Sequence, residues 1–373
     1  DALLFDADND GDLDLYICSG SNEFAEGNDA YLDRFYVNDG QGNFTFSSQS
    51  IPAIYSSSSK VSAADYDQDG DLDLFVGGGL KPNQYPFPGT SYILKNEGGQ
   101  FTKLADQSVP DLADVGMVRD AAWEDMNGDG QLDLVIVGEF MPVTIFIQEE
   151  VNFTNATSQF GLENSNGWWR SLLLKDVNED GRIDILAGNL GLNTKLEVSE
   201  NEPIAVYAKD YDRNGMVDAI MSCYINGEKH MLHSKSTLES QVISFKKRFN
   251  KHEEFAKANF DQILPPELLQ DAYVREAYSF EHTAFLNMGD RFEGTPLPKE
   301  TQIAPLQNII FHEGKYYLSG NDYSTEVTIG QYDASRGFEI YFDKSSNQFK
   351  LNKESIYLAL GDVKNAVELN TAQ

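Results

Sequence analysis

The sequence predicts an all-β fold: a β-propeller of about six to seven four-stranded blades, with cation-binding hairpin loops and one helical insertion. Three observations lead there. One acidic loop recurs five times in the first 218 residues. Short apolar runs rich in β-branched and aromatic residues, such as ALLF before the first copy and LDLYICSG across its end, flank each copy as strands would. Further strand-like segments follow most copies, so that four strands fill a spacing near blade length.

The loops share one pattern. Positions one, three, five and nine carry Asp6, Asp8, Asp10 and Asp14; Asp65, Asp67, Asp69 and Asp73; Asp125, Asn127, Asp129 and Asp133; Asp176, Asn178, Asp180 and Asp184; and Asp210, Asp212, Asn214 and Asp218. Position six is glycine in every copy, and position seven is Asp12, Asp71, Gln131, Arg182 or Met216. Oxygen side chains at this spacing suit a hard cation such as Ca²⁺, because the glycine allows the sharp turn that converges them and position seven adds a backbone carbonyl. Asp, Asn and Gly also make ordinary turns. Five copies of the same four-position set favour metal, and imply about five structural Ca²⁺ whose binding is partly folding energy. The loops are not EF-hands: position twelve is Ile17, Val76, Ile136, Ala187 or Met221 instead of glutamate, and strands rather than helices follow. A sixth hairpin, 308–320, has His312, Glu313 and Gly314 at its tip and is expected to be metal-free.

First ligands fall at 6, 65, 125, 176 and 210. The last interval is too short for a complete blade, so either that blade is short or the fifth loop closes the second hairpin of the fourth blade. After Cys223 the strand pattern is expected to stop, and residues 234–280 read as a helical insertion, with a Ser/Thr start and Pro265-Pro266 as a break. The segments TAFLNMGD and RFEGTPLP then supply the outer strands of the interrupted blade. The segment ESIYLALGDVKNAVEL starts a seventh blade or completes the first. The whole span 1–373 reads as one propeller, expected to be part of a longer chain because it opens inside a strand.

The loop pattern, together with turns such as Gly42-Asn43-Phe44 and Gly99-Gln100-Phe101, resembles the FG-GAP or VCBS repeats of calcium-binding propellers, the broad group that includes integrin α-chains. The runs GWWRS, GNLGLNTK, VYAKDYDRNG and NDYSTEVTIGQYDASRG resemble bacterial VCBS proteins associated with an ASPIC/UnbV module, which is not visible here. The resemblance implies structural calcium and a secreted, periplasmic or cell-surface protein, the setting in which weak loops meet millimolar calcium.

Formal net charge is −32, from 60 acidic and 28 basic residues. Nucleic acid is therefore not an expected partner, since phosphate binding needs Lys/Arg surfaces. No run approaches the roughly 18 apolar residues of a membrane helix. Cys18 and Cys223 read as buried free thiols rather than a disulfide. No nucleophile elbow, P-loop or zincin motif is present, and no catalytic residue is assigned. His230 and His233 form an H-x-x-H with no third ligand nearby, a weak zinc signal. The basic cluster Lys246, Lys247, Arg248 and Lys251 reads first as a solvated helix face, with a lid or docking element as the alternative.

Recognition residues are better represented. Asn22, Asn83, Tyr85, Asn189, Asn193, Asn321 and Tyr323 mix amides with aromatics in segments expected to emerge at one propeller face, and Trp168 and Trp169 are adjacent indoles. If they form a strand, one indole points away from the other's face. The reading is an extracellular calcium-stabilised binding module for a glycan or protein. Its rival is a carbohydrate-active enzyme such as a polysaccharide lyase. A central pocket of Arg, Lys, Tyr or His with acids favours the rival; one of amides and aromatics alone favours binding. A purely structural spacer would have no concave polar site.

Overall fold

The computed structural model describes residues 1–249, 251–325, 330–355 and 357–366. The chain forms a β-propeller-like all-β fold of six antiparallel sheets. The first contains β1 (Ala2–Phe5), β2 (Asp14–Ile17), β3 (Arg34–Asn38) and β4 (Phe44–Phe46), and the second β5 (Ser58–Ala64), β6 (Asp73–Gly78), β7 (Tyr92–Asn96) and β8 (Phe101–Lys103). The third contains β9 (Met117–Glu124), β10 (Asp133–Met141), β11 (Thr144–Glu149) and β12 (Asn152–Asn155), with short β13 (Gly167–Trp168) added on β10.

The fourth sheet opens with β14 (Ser171–Lys175) and β15 (Asp184–Gly188), and the chain then leaves it. It builds a separate sheet from β16 (Ile204–Lys209), β17 (Asp218–Ile225) and β18 (Glu228–Met231), passes through α1 (Lys235–Gln241), a 3₁₀ turn, α2 (His252–Lys257), α3 (Phe260–Ile263) and α4 (Pro266–Leu269), and adds β19 (Tyr273–Ala277) on β16. It returns with β20 (Thr283–Asn287) and β21 (Phe292–Pro296), which complete the order β14-β15-β20-β21. The last sheet is β22 (Leu306–His312), β23 (Lys315–Gly320), β24 (Phe338–Asp343) and β25 (Gln348–Leu351).

The outer strands of the interrupted fourth sheet are where the sequence places them. Three expectations change. The fifth loop neither shortens the fourth sheet nor closes its second hairpin, because β15 pairs with β20 and the loop joins β16 to β17 in the inserted sheet. The strand pattern continues past Cys223, through the rest of β17 and β18. The expected helical stretch ends in β19, whose edge pairing with β16 decides its conformation. The C-terminal segment ESIYLALGDVKNAVEL lies partly outside the described residues and forms no strand among those described.

Apolar side chains pack between neighbouring sheets. Val61, Leu74 and Val76 meet Phe5, Tyr16 and Phe35; Val135, Val137 and Ile145 meet Ile185, Ala187 and Phe285. Strand β1 touches β5, β5 touches β9, β9 touches β14 and β14 touches β22, so the first strands of five sheets follow one another. The inserted sheet carries its own apolar face, where Ala205, Tyr207 and Ile220 pack under Leu238, Val242, Phe245 and Phe260 of the helical stretch. Cys18 and Cys223 are both buried free thiols.

Candidate functional sites

Five loops with one internal geometry sit at hairpin tips. In each, the position-one carboxylate accepts the N–H of the position-six glycine at 2.8–3.1 Å, and those glycines hold φ between 86° and 96°, a region costly for residues with a Cβ. The position-five side chain accepts the N–H of position seven at 2.7–3.1 Å. The position-nine aspartate accepts the N–H of position two at 2.8–3.2 Å. These bonds preform the turn and leave oxygens facing one another.

The oxygens fit a hard cation. Ligand atoms of Asp6, Asp8 and Asp10, of Asp65, Asp67 and Asp73, and of Asp210, Asp212 and Asp218 each lie within 4.8 Å of one another. Asp6 Oδ1, Asp67 Oδ1 and Asp212 Oδ1 are buried with no hydrogen-bond donor among the described residues, the condition a cation satisfies. In the third and fourth loops, Asn127 and Asn178 instead donate to Asp129 and Asp180 at 3.0 Å. Three position-seven side chains are engaged elsewhere: Asp71 accepts from Asn9 and Gly98, Gln131 from Glu150, and Arg182 Nε donates to Asn287 O, whereas Asp12 Oδ1 is buried with no donor among the described residues. Asp6, Asp8, Asp10, Asp65, Asp67, Asp73, Asp210, Asp212 and Asp218 are thus the side chains whose oxygens converge closely enough to hold a metal ion. Burial pushes Asp73 up to about 7, and Asp133 and Asp184 up to about 6.

Two features escaped the sequence reading. Lys95 pairs with Asp67 and stands 3.2 Å from Asp69, placing an internal cation against the second loop. An amide also closes the third strand of several sheets and ties neighbouring loops together. Asn96 Nδ2 donates to Ala7 O at 2.7 Å, Gln148 Nε2 to Tyr66 O at 3.1 Å and Asn287 Nδ2 to Met126 O at 3.2 Å, each reaching the preceding sheet's loop. The loops also touch directly, through Asn9 to Asp71 and Gln68 to Gly130 O. The available signal was an Asn or Gln at or next to the end of the third strand, Asn96 in β7, Gln148 in β11 and Asn287 in β20.

The second site is a central cavity of about 920 Å³. Its wall comes from five successive first strands or their approaches: Asp1, Ser59 and Lys60, Arg119 and Asp120, Trp168 and Arg170, and Gln307 and Asn308. Tyr85, Glu139, Asp322, Ser324 and Lys364 add polar groups, and Met221, Leu232 and His233 bring the inserted unit to it. Charges are paired: Lys60 with Asp120 at 3.0 Å, Arg119 with Glu139 at 2.8 Å, and Arg170 with Asp322 at 3.4 Å. Burial opposes ionisation of Glu139, but Arg119 and Arg170 hold it below the usual carboxylate range. Burial likewise opposes ionisation of Asp322, which Ser324 and Arg170 keep low. Burial raises Tyr85 well above a free phenol.

The expected recognition residues divide. Trp168 and Tyr85 line the cavity, while Trp169 is a core residue, 1% exposed, whose Nε1 donates to Ser165 O. Asn189 and Asn321 are buried and cross-link backbone: Asn189 accepts from Trp168 N and donates to Ser279 O, and Asn321 donates to Ser335 O and Gly361 O. Backbone donors and acceptors unmatched within the strands claimed both amides. Asn83 meets Asn22 and Phe24 O, Asn193 donates to Ile303 O, and Tyr323 is exposed beside Asp362. His230 sits on β18 beside Glu228 whereas His233 faces the cavity. Arg248 of the basic cluster donates to Ile263 O inside the insertion, and Lys246 is exposed.

An FG-GAP-like repeat model matches residues 6–76 and 125–187, the stretches that hold the first four loops. The chain therefore carries FG-GAP-like repeats on an all-β, propeller-like scaffold. No curated protein matches it in sequence. Among solved structures, Saccharomyces cerevisiae Sqt1 is similar at 12% identity over 99% of this chain and 78% of that one, with a TM-score of 0.39. An Agrocybe aegerita lectin that recognises non-reducing terminal N-acetylglucosamine aligns at 13% identity over 94% and 79%, with a TM-score of 0.36. Rhamnogalacturonan lyase PL11 of Bacillus licheniformis aligns at 12% over 95% of this chain and 64% of that one, with a TM-score of 0.34. Likeness at this level says nothing of what this chain binds. No helix among the described residues is long and apolar enough to cross a membrane.

Proposed function

We propose that the chain is a calcium-stabilised β-propeller that works outside the cytoplasm, or at the cell surface, as a binding module for a glycan or a protein. On this reading the sheets are blades, calcium stiffens the hairpin tips, and the ligand enters the central cavity. The FG-GAP-like repeats and the clustered carboxylates support the calcium role. The narrower kinship with VCBS proteins bearing an ASPIC/UnbV module rests on the sequence runs alone.

The observation that carries the binding role is the cavity itself, a concave polar site walled by five sheets. A carbohydrate-active enzyme is the second reading: Lys60, Arg119, Arg170, Tyr85 and His233 stand there with acids, the lining that the sequence argument takes to favour an enzyme. Lyase chemistry needs a base poised near the working pH. Here Glu139 and Asp322 are held as anions, Arg119 is raised chiefly by Glu139, and Tyr85 is raised by burial, so none of these four is poised as that base.

The test is calorimetric titration of chelator-stripped protein with Ca²⁺, followed by glycan and protein screening with Arg119→Ala as a cavity control. About five sites, a higher melting temperature and ligand capture lost in the control are expected. No calcium uptake reduces the loops to turns. Bond cleavage in a screened polysaccharide moves the assignment to the enzyme.

A further inference from the structure

The central cavity has donors left over and acceptors in use. Asp120 takes Lys60 and the N–H groups of Ala121 and Leu172, Glu139 takes Arg119 through two nitrogens, and Asp322 takes Arg170, Lys364 and Ser324. On the donor side, the indole Nε1 of Trp168 and the Nε of Arg170 are buried and meet no acceptor among the described residues. Both side chains line the same cavity, while Trp169 between them turns into the core, as the two-residue alternation of an extended segment requires. A buried donor left without a partner costs about 1–3 kcal/mol, so two of them on one face mark where a ligand presents acceptors.

We propose that this face binds the carboxylate of a uronic-acid sugar, with Trp168 Nε1–H and Arg170 Nε–H donating to the anion. The inference rests on the glycan reading of the cavity. A planar carboxylate offers two acceptor oxygens to a guanidinium and an adjacent N–H. A phosphate dianion suits the site less, since four carboxylates, Asp1, Asp120, Glu139 and Asp322, share the wall with it. Sugar hydroxyls are left the side-chain oxygens of Gln307 and Asn308, whose nitrogens already donate to Asn321 O and Val363 O, and the volume is that of a small-ligand site.

The experiment titrates the full calcium-loaded chain with trimers of galacturonic, glucuronic and mannuronic acid, with their methyl esters, and with a peptide bearing a free C-terminal carboxylate. The expected result is that one acid trimer binds at least about tenfold more tightly than its ester. Trp168→Phe, which keeps an aromatic ring and removes the N–H, should lower acid binding about tenfold and ester binding by less, so that the acid-to-ester ratio falls. If that variant is unstable, Arg170→Lys asks the same question of the guanidinium. Equal binding of acid and ester, or no effect of either substitution, overturns the carboxylate inference while the glycan module stands. Binding of the peptide alone overturns it in favour of a protein ligand, and no binding by any probe sinks both readings of the cavity.

Discussion

The fifth loop and the first four share a ligand pattern but not an anchorage. In the four loops of the sheet series, the position-nine aspartate also accepts an N–H from the third strand, from Asn38, Asn96, Gln148 and Asn287, all at 2.8 Å. In the inserted sheet, Asp218 accepts from Tyr211, and the third strand β18, short and largely polar, pairs only with Ser222–Ile225, the end of β17 away from the loop. A motif thus specifies the turn, whereas its rigidity comes from the strand that arrives next to it. Loops one to four are expected to be partly held without a cation, and loop five to depend on one.

The largest effect expected is from Asn96→Ala. Asn96 is fully buried, donates to Ala7 O and Leu72 O, and accepts from Gly99 N, so its removal leaves several backbone groups unpaired and should cost about 2–4 kcal/mol. Chemical denaturation should show that loss with calcium and with chelator alike. A loss confined to calcium-loaded protein would mean that the amide serves the metal and not the junction between sheets.

His282 gives a pH-dependent counterpart in the fourth sheet. Its Nδ1 accepts from Asn189 N and its Nε2 faces Ala304 O, and burial lowers it from 6.5 to about 4. The unfolded chain therefore takes up the proton first. The stabilisation is fully present above pH 6.5 and is lost as pH falls toward 4, by up to about 3 kcal/mol. In the absence of calcium, the buried position-nine aspartates Asp73, Asp133 and Asp184, raised in the fold, act with the opposite sign, stabilising at low pH and less so as pH climbs through 6 to 7. The contribution is thus the difference between the parent and His282→Gln, and parallel stability-against-pH curves for the two would remove it.

Asp212→Ala probes the weaker loop. It should lower stability by about 1 kcal/mol with calcium and leave it unchanged in chelator, and amide exchange should speed up in β16 and β17 before β9 and β10. An equal loss in both conditions would make Asp212 a turn former. The smallest effect is from Lys95→Ala: with the competing ammonium gone from Asp67 and Asp69, calcium at the second loop should bind several-fold more tightly. Unchanged or weaker uptake in titration would show that Lys95 supports the loop instead.

Much of the scaffold was legible because its signals are local. The glycine at position six, the carboxylates around it and the alternating apolar strands each act within about ten residues. The amide locks were visible as letters and unreadable as contacts, since Asn96 reaches Ala7 across 89 residues. The recognition residues misled for a related reason: an Asn near a strand end looks the same whether it meets a ligand or, like Asn189 and Asn321, satisfies backbone inside the fold.

The sequence by itself determined the loop turns, the hairpins, the all-β character and the interruption of the fourth sheet, because turn geometry and hydrophobic period are properties of neighbouring residues. Only the tertiary structure decided that the fifth loop belongs to an inserted sheet, that Trp168 faces a cavity while Trp169 is core, and that Lys60, Arg119 and Arg170 converge there. Those outcomes depend on which strand edges pair and which faces are buried. Both are set by contacts between residues far apart in the chain, for which no short stretch of sequence carries the information.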